Sequence, residues 1–507
     1  MIQSPLYAVL LAAFVAQPAL SRALSEIDDS ASTLSTKGCS ILADAGLGGL
    51  LLLPHDLAYT EREASYWAPN AALGPRCILQ PRTTEDVSRA VKAVAASGAK
   101  FAIRSGGHSQ WAGGSNVHNG VTIDLGRMTD ITYNAQTTVA SIQPGPRWGD
   151  IFAALKPYGV ALTGGRDADV GIGGFLTGGG NAYLTARTGF GCDTVVNFEV
   201  VLANGTIVNA NKTANADLWR ALKGGWANFG VVTRFDIETT AAPEVWGSTQ
   251  IHDGSVGDQA AAALVKFTNE NEDNPEAARL VLRTYNTVTP QGIGMITVMV
   301  DTKNLENAPV FNDIRAIPST VATSQHTTLG QLAQNGIDPS DDRVHWFTLT
   351  FNNDIAILKK AMALHDALAA DLKTTLGPAA FSTQCVLQPI PSFFGTIGAR
   401  KGGNMLGLDA VKTNSILWLG TVAYKDPDHD KVAHKKLEKS FRELEKFAKS
   451  RNGNVEWLYI NYADKTQNPL KSYGKANLDF MKNVAGTYDP KGVFQEQMPR
   501  SFKLSKV

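Results

Sequence analysis

Glycine placement constrains this chain more than any other feature. The 507 residues include 47 glycines that follow no period and crowd into a few short loops, six of them at positions 171–180 alone. A residue without a Cβ lets two backbones, or a backbone and a ligand, approach more closely than side chains allow. The absence of a period excludes a collagen-like or low-complexity chain. A folded protein whose main chain lies against a ligand is the expectation.

The first glycine loop, Arg104-Ser-Gly-Gly-His-Ser-Gln-Trp-Ala-Gly-Gly-Ser-Asn116, directly follows a predicted strand. Paired glycines flanked by serines let successive N–H groups turn inward as an anion nest, which suits a pyrophosphate and sets His108 beside the ligand. A tight turn with an incidental, exposed His108 is the plainer alternative. The second loop runs from Gly164 to Gly180. Its spacing does not match a G-x-G-x-x-G fingerprint, and no clear βαβ unit with an acidic residue about 20 positions later accompanies it, which argues against a Rossmann NAD site. The third loop is Lys223-Gly-Gly-Trp-Ala-Asn-Phe-Gly-Val-Val-Thr233.

Forty-seven basic and 47 acidic side chains cancel, so there is no basic field to gather nucleic acid. No later stretch reaches the length of about 18 apolar residues that a membrane helix needs. The apolar run Leu6 to Val15, followed by Ala19, Ser21 and Ala23, reads as a secretory signal peptide over 1–23, although it lacks a basic n-region. A buried N-terminal helix is the alternative. A secreted, oxidised chain accommodates disulfides, and four cysteines allow three pairings. Cys39 and Cys77 are the expected pair, with Cys192 and Cys385 as buried thiols. Asn204-Gly-Thr206 and Asn211-Lys-Thr213 match the glycosylation acceptor pattern, and Asn204-Gly205 also reads as a hairpin turn. The nine histidines are dispersed, and His429 and His434 are five apart, so no metal site is expected.

Periodicity predicts an α+β first domain: a helix over 85–96, strands over 100–104, 121–125 and 139–143, a helix over 148–157, and strands over 197–203, 206–210 and 231–239. Beyond Ala241-Ala242-Pro243 the glycine-rich texture ends. Longer strands follow at 279–285, 295–301, 345–351 and 416–424, with two long helices. The helix over 432–449 carries Leu437, Phe441, Leu444 and Ala448 on one face and is expected outside a sheet. From Trp457 a strand, a polar turn and a helix are read as folding back on the first domain.

Five elements stand in a fixed order: RSGGHS, the GGG run, NFGVVT, the YxNY of Trp457-Leu-Tyr-Ile-Asn-Tyr-Ala-Asp464, and the YDP of Tyr488-Asp-Pro-Lys-Gly-Val-Phe494. Over residues 60–242 and 455–497 the chain resembles the berberine-bridge-enzyme-like FAD-linked oxidoreductases, within the vanillyl-alcohol-oxidase/PCMH flavoprotein superfamily. Phe198–Thr206 and Asp217-Leu-Trp219 resemble its fungal secreted members in particular. The resemblance implies a two-domain α+β fold. A PCMH-type FAD-binding domain over 24–242 would be completed by 455–507, and a substrate domain over 243–454 would have an antiparallel sheet covered by helices.

The resemblance also assigns roles. His108 stands where relatives bond the flavin 8α-methyl group covalently. Asp167 stands where many relatives carry a second, cysteine tether, so a single link is expected and Cys192 does not replace it. Backbone groups of Ser105, Gly106, Gly107 and Ser109 would hold the pyrophosphate. Val170, Gly171, Gly174, Val195, Gly230 and Val232 would contact the rest of FAD, with Asn461 near the isoalloxazine. Phe175 replaces a histidine frequent in relatives.

The implied reaction is hydride transfer from an alcohol, sugar or secondary metabolite to flavin, assisted by a base, with O₂ as acceptor and H₂O₂ as product. Tyr462 is the favoured base, with Tyr459 the second candidate and Tyr183 a weaker one. In a strand, Tyr459 and Tyr462 would point to opposite faces. Core tyrosines with satisfied hydroxyls are the plain alternative for both. A dehydrogenase with another acceptor, or a flavin-binding protein without turnover, are the competing functions.

Overall fold

In the computed structural model, residues 37–241, 244–286, 292–338 and 341–507 are described. The expected leader, 1–23, lies outside them. A first sheet contains β1 (Leu51–Leu52), β2 (Cys77–Leu79), β3 (Phe101–Arg104) and β4 (Val121–Asp124) in the order β1-β2-β4-β3, with β2, β4 and β3 parallel. The helix Thr84–Ser97 crosses from β2 to β3. It starts at a Thr83/Asp86 capping box and stops at Gly98, whose φ of 71° suits glycine. Its Val87, Ala90, Val91 and Val94 are buried in the cluster that also holds Phe101, Val121 and Ile123. Cys39 and Cys77 form the expected disulfide, with Cα atoms 6.2 Å apart. Cys192 and Cys385 are buried thiols.

An antiparallel second sheet contains β5 (Ile131–Asn134), β6 (Val139–Ile142), β8 (Val195–Val201), β9 (Ile207–Asn211) and β10 (Val231–Glu238), ordered β5-β6-β10-β8-β9. A small pair, β7 (Val160–Ala161) with β11 (Thr240–Ala241), closes beside it. Asn204 is exposed in the β8–β9 turn, where Gly205 has a φ of 83°. The side-chain oxygen of Asn211 accepts from Thr213 N, Thr213 Oγ1 and Ala214 N.

The third sheet is antiparallel and eight-stranded: β12 (Val245–Asp253), β13 (Ala277–Tyr285), β14 (Ile293–Asp301), β15 (Val321–Thr327), β16 (Arg343–Asn352), β17 (Phe381–Ile390), β18 (Ser415–Tyr424) and β19 (Asn454–Val455). Its order is β15-β12-β14-β13-β17-β18-β16-β19. Strand alternation gives it two different faces. Val281, Met295, Phe347, Leu387 and Trp418 share a core with residues of the helices Gly257–Glu270, Ile355–Leu376 and Asp430–Ser450. Leu280, Leu282, Val298, Val386 and Leu419, on the alternate positions, line a cavity. Edge strand β15 has almost wholly exposed side chains and no apolar alternation, so it leaves no periodic signal in the sequence. Among the described residues no helix is long and apolar enough to cross a membrane.

Candidate active site

The cavity, about 500 Å³ in volume, has the glycine loops on one side, the free face of the eight-stranded sheet on another, and the segment holding Tyr459 to Tyr462 beside both. The first two loops interlock through their backbones. A Cβ on Gly106 would lie 2.5 Å from Gly171 Cα, and one on Gly171 would lie 2.5 Å from Gly106 Cα. Such a distance is far inside van der Waals contact, so both positions need glycine. Gly107 has a φ of 73°, and an added Cβ would lie 2.7 Å from Arg104 Nε. Ser105 Oγ donates to Pro144 O at 2.6 Å and accepts Gly173 N at 3.2 Å, fastening one loop to the next. Among the described residues, no protein acceptor takes the N–H groups of Gly106, Gly107, His108 or Ser109, as an anion nest requires.

His108 stacks on Trp67, with ring centroids 4.3 Å apart and planes 12° from parallel. Burial, reinforced by the Arg147 charge, pushes its imidazole down to about 3, so the ring is neutral at ordinary pH. Its Nδ1 is buried and has no hydrogen-bond partner. Nε2 lies 4.0 Å from Asp167 Oδ2. That carboxylate also accepts Asp338 N at 3.1 Å, and burial holds its pKa above the usual range. An unpartnered neutral imidazole nitrogen, an unfilled N–H nest and a cradle that tolerates no Cβ all fit an FAD.

Ser105, Gly106, Gly107, His108, Ser109, Val170, Gly171, Gly174, Gly230, Val232 and Asn461 all line the cavity. Val195 does not. It is 1% exposed in the hydrophobic core, and its carbonyl accepts the Trp219 indole N–H at 3.0 Å. As the first residue of β8 it faces the interior of the domain, which corrects the cofactor-contact expectation for that position.

The expected strand over 457–462 is also corrected. Strand β19 ends at Val455, and the chain then turns, with Tyr462 N donating to Tyr459 O at 2.9 Å. In this turn the two tyrosine rings meet, with centroids 4.8 Å apart. Their hydroxyls do different work. Tyr459 is 1% exposed, and its oxygen accepts Gly180 N, Asn181 N and Asn461 Nδ2 at 2.8–3.0 Å. Burial drives its pKa far up, so its geometry is that of a structural clamp. Tyr462 instead presents its oxygen to Arg166 Nη2 at 2.8 Å, and its hydroxyl lies 3.5 Å from Gln388 Oε1. Arg166 Nη2 also donates to Gln388 Oε1 at 2.6 Å. Tyr183 lines the same region beneath Arg166.

Asn461 lies against Gly178, where a Cβ would overlap Asn461 Oδ1, and its Nδ2 donates to Phe175 O at 3.1 Å. Sequence reasoning missed Trp67, Gln388, Trp346 and Trp226 as cavity residues. Only Trp226 carried a local signal, as a bulky residue directly after Gly224-Gly225 in the third loop. It adopts a φ of 61° and is anchored by its indole N–H to Ser501 Oγ at 2.9 Å.

Residues 75–211 match the family described as an FAD binding domain. The FAD-dependent monooxygenase drtC of Aspergillus calidoustus is 34% identical over 478 residues, covering 92% of this chain and 90% of its own. Among solved structures, BBE-like 1 of Physcomitrella patens superposes with a TM-score of 0.75 at 18% identity, covering 92% of this chain and 99% of its own. The xylooligosaccharide oxidase of Myceliophthora thermophila C1, in complex with xylobiose, gives 0.74 at 21% identity, with coverage of 92% and 99%. With its glycine-lined FAD cradle and a relative of this similarity matched over nearly its whole length, the chain belongs to the FAD-dependent oxidoreductase family that includes drtC, and it shares the two-domain fold of the berberine-bridge-enzyme-like flavoproteins.

Proposed function

We propose that this oxidoreductase is a secreted oxidase carrying FAD on a single histidyl link through His108, and that it oxidises an alcohol-type carbon of a small molecule with O₂ as the final acceptor and H₂O₂ as product. The observation that carries the reading is one cavity holding both the unpartnered His108 Nδ1 and the Arg166-bound hydroxyl of Tyr462. When bound, the flavin supplies the two-electron acceptor that these side chains lack. Tyr462 in its tyrosinate form, which the Arg166 guanidinium bonded to it favours, takes the substrate hydroxyl proton onto its oxygen and becomes the neutral phenol. Tyr459 holds the Gly180–Asn181 backbone and Asn461 in place, and the aliphatic face of β13, β14, β17 and β18 excludes water from the reacting carbon. Asp167 at the second-tether position supports a single link. The leader-like N-terminus and the Cys39–Cys77 disulfide support secretion, because disulfides persist in oxidising compartments.

An absorption spectrum followed by acid precipitation, on wild type and His108→Ala, tests the link. Flavin should stay in the wild-type pellet and leave the mutant's; release from both overturns the covalent reading. The name borne by the drtC relative favours a second reading, oxygen insertion. Peroxide formed one-for-one with product marks an oxidase, and label from ¹⁸O₂ in the product marks a monooxygenase.

A further inference from the structure

The substrate half of the cavity combines a mostly aliphatic wall, interrupted by the polar side chains of Ser382, Gln384 and Thr421, with a cation that has no carboxylate partner. Leu280, Leu282, Val298, Val386 and Leu419 supply aliphatic surface from four neighbouring strands. A saccharide, with a hydroxyl on nearly every carbon, needs a matching polar group for each. Arg166 lies at this wall with neutral partners only, Gln388 Oε1 at 2.6 Å and Tyr462 OH at 2.8 Å, and among the described residues no carboxylate forms an ion pair with it. The cavity's carboxylates are not its counter-ions. None of the carboxylates of Asp167, Asp338 and Asp342, which line the cavity, forms an ion pair with it, and Asp167 lies beside His108 instead.

Gln388 provides the second, independent observation. It is 1% exposed, and its Oε1 is occupied by Arg166, with Asn181 Nδ2 and the Tyr462 hydroxyl each 3.5 Å away. Its Nε2 is buried without any partner. Leaving a buried donor unmade costs as much as losing a hydrogen bond, so a ligand acceptor is what this amide lacks. Exchanging the amide oxygen and nitrogen would set an N–H₂ against the guanidinium, which fixes the orientation.

We propose that Arg166 and Gln388 Nε2 form a recognition subsite for one acidic oxygen, and that the substrate is a largely apolar ring system bearing that oxygen as a phenol, enol or carboxylate. This rests on reading the cavity as the substrate site. The guanidinium supplies charge and the amide a directed donor, while the aliphatic wall accepts the rest of the molecule by burial.

Calorimetric binding to the oxidised holoenzyme tests it with four probes: 2-naphthol, 2-naphthoate, 2-methoxynaphthalene and xylobiose. One of the two acidic probes should bind roughly 10- to 100-fold more tightly than the ether, and the tighter one identifies the oxygen class. Arg166→Met should erase that preference with flavin content unchanged, and Arg166→Lys should keep part of it. Equal affinity for the ether and both acidic probes overturns the proposal, as does binding of xylobiose alone. The wild-type comparison decides the matter even if a variant fails to fold. Because the readout is binding, a failure here is distinct from a failure of the oxidase reading, which would show as absent turnover or released flavin.

Discussion

The two walls of the cavity are made of different material. The cofactor wall is backbone: Gly106 and Gly171 touch main chain to main chain, and the unpaired N–H groups around His108 belong to peptides. The substrate wall is side chain, every second residue of β13, β14, β17 and β18. Backbone packing admits no added atom, so that wall is constrained residue by residue. A side-chain wall on a paired sheet can exchange one apolar group for another without disturbing the ladder. Identity of cofactor is therefore held rigidly, and choice of substrate is free to vary.

The sharpest break in this comparison lies where the walls meet, at the two tyrosines. Tyr462→Phe should slow flavin bleaching by substrate about 100- to 10,000-fold with flavin content unchanged. Tyr459→Phe should instead leave three N–H groups without their oxygen and lower the thermal midpoint, at a cost of about 1–3 kcal/mol. Equal rate losses in both would dissolve the distinction drawn between them.

On the cofactor wall, Gly171→Ala sets a Cβ 2.5 Å from Gly106 Cα. A destabilisation of about 1–3 kcal/mol is expected from the overpacking, together with loss of flavin colour in the purified protein. A fully yellow, equally stable variant would show that the loops can separate.

The helix-covered face of the same sheet should respond to acid. Burial, with His434 beside it, holds the His345 imidazole down to about 4, although Asp430 and Asp464 pull upward. In the unfolded chain it titrates near ~6.5. Between those values the unfolded state binds more protons, so stability is full above about pH 6.5 and falls as pH drops toward 4. The loss assigned to this residue, discounted for partial exposure, is about 1–2 kcal/mol. Thermal midpoints measured across this range should fall less steeply in His345→Gln.

The smallest effect belongs to the substrate wall. Leu282→Ala should raise KM roughly tenfold and leave flavin content untouched. Flavin loss from this variant would show that the two walls are not independent.

Legibility in the sequence followed the same division. The helix over 85–96, the strands at 121–125 and 139–143, and the helix over 432–449 appear within a few residues of their expected ends, because each is a short window with its own period or cap. The glycine loops announced themselves by composition. Strand β15, polar and at the sheet edge, had no pattern to read. The YxNY segment has the alternation of a strand, but β19 stops at Val455, and a turn brings Tyr459 and Tyr462 together where a strand would have parted them. Val195 has an apolar character that suits a cofactor contact and a core position equally, and only packing separates the two.

What the sequence determined by itself is the backbone chemistry: where glycine must stand, which histidine stands in the nest, that an FAD cradle is present, and that no cysteine stands in the second glycine loop. The meeting of Arg166 with Gln388 and Tyr462, across separations of 222 and 296 residues, was decided only by the tertiary structure. Backbone conformation and strand alternation are properties of short windows. A hydrogen bond between distant residues depends on the order of eight strands and on the path of the C-terminal segment, and no short window carries that information.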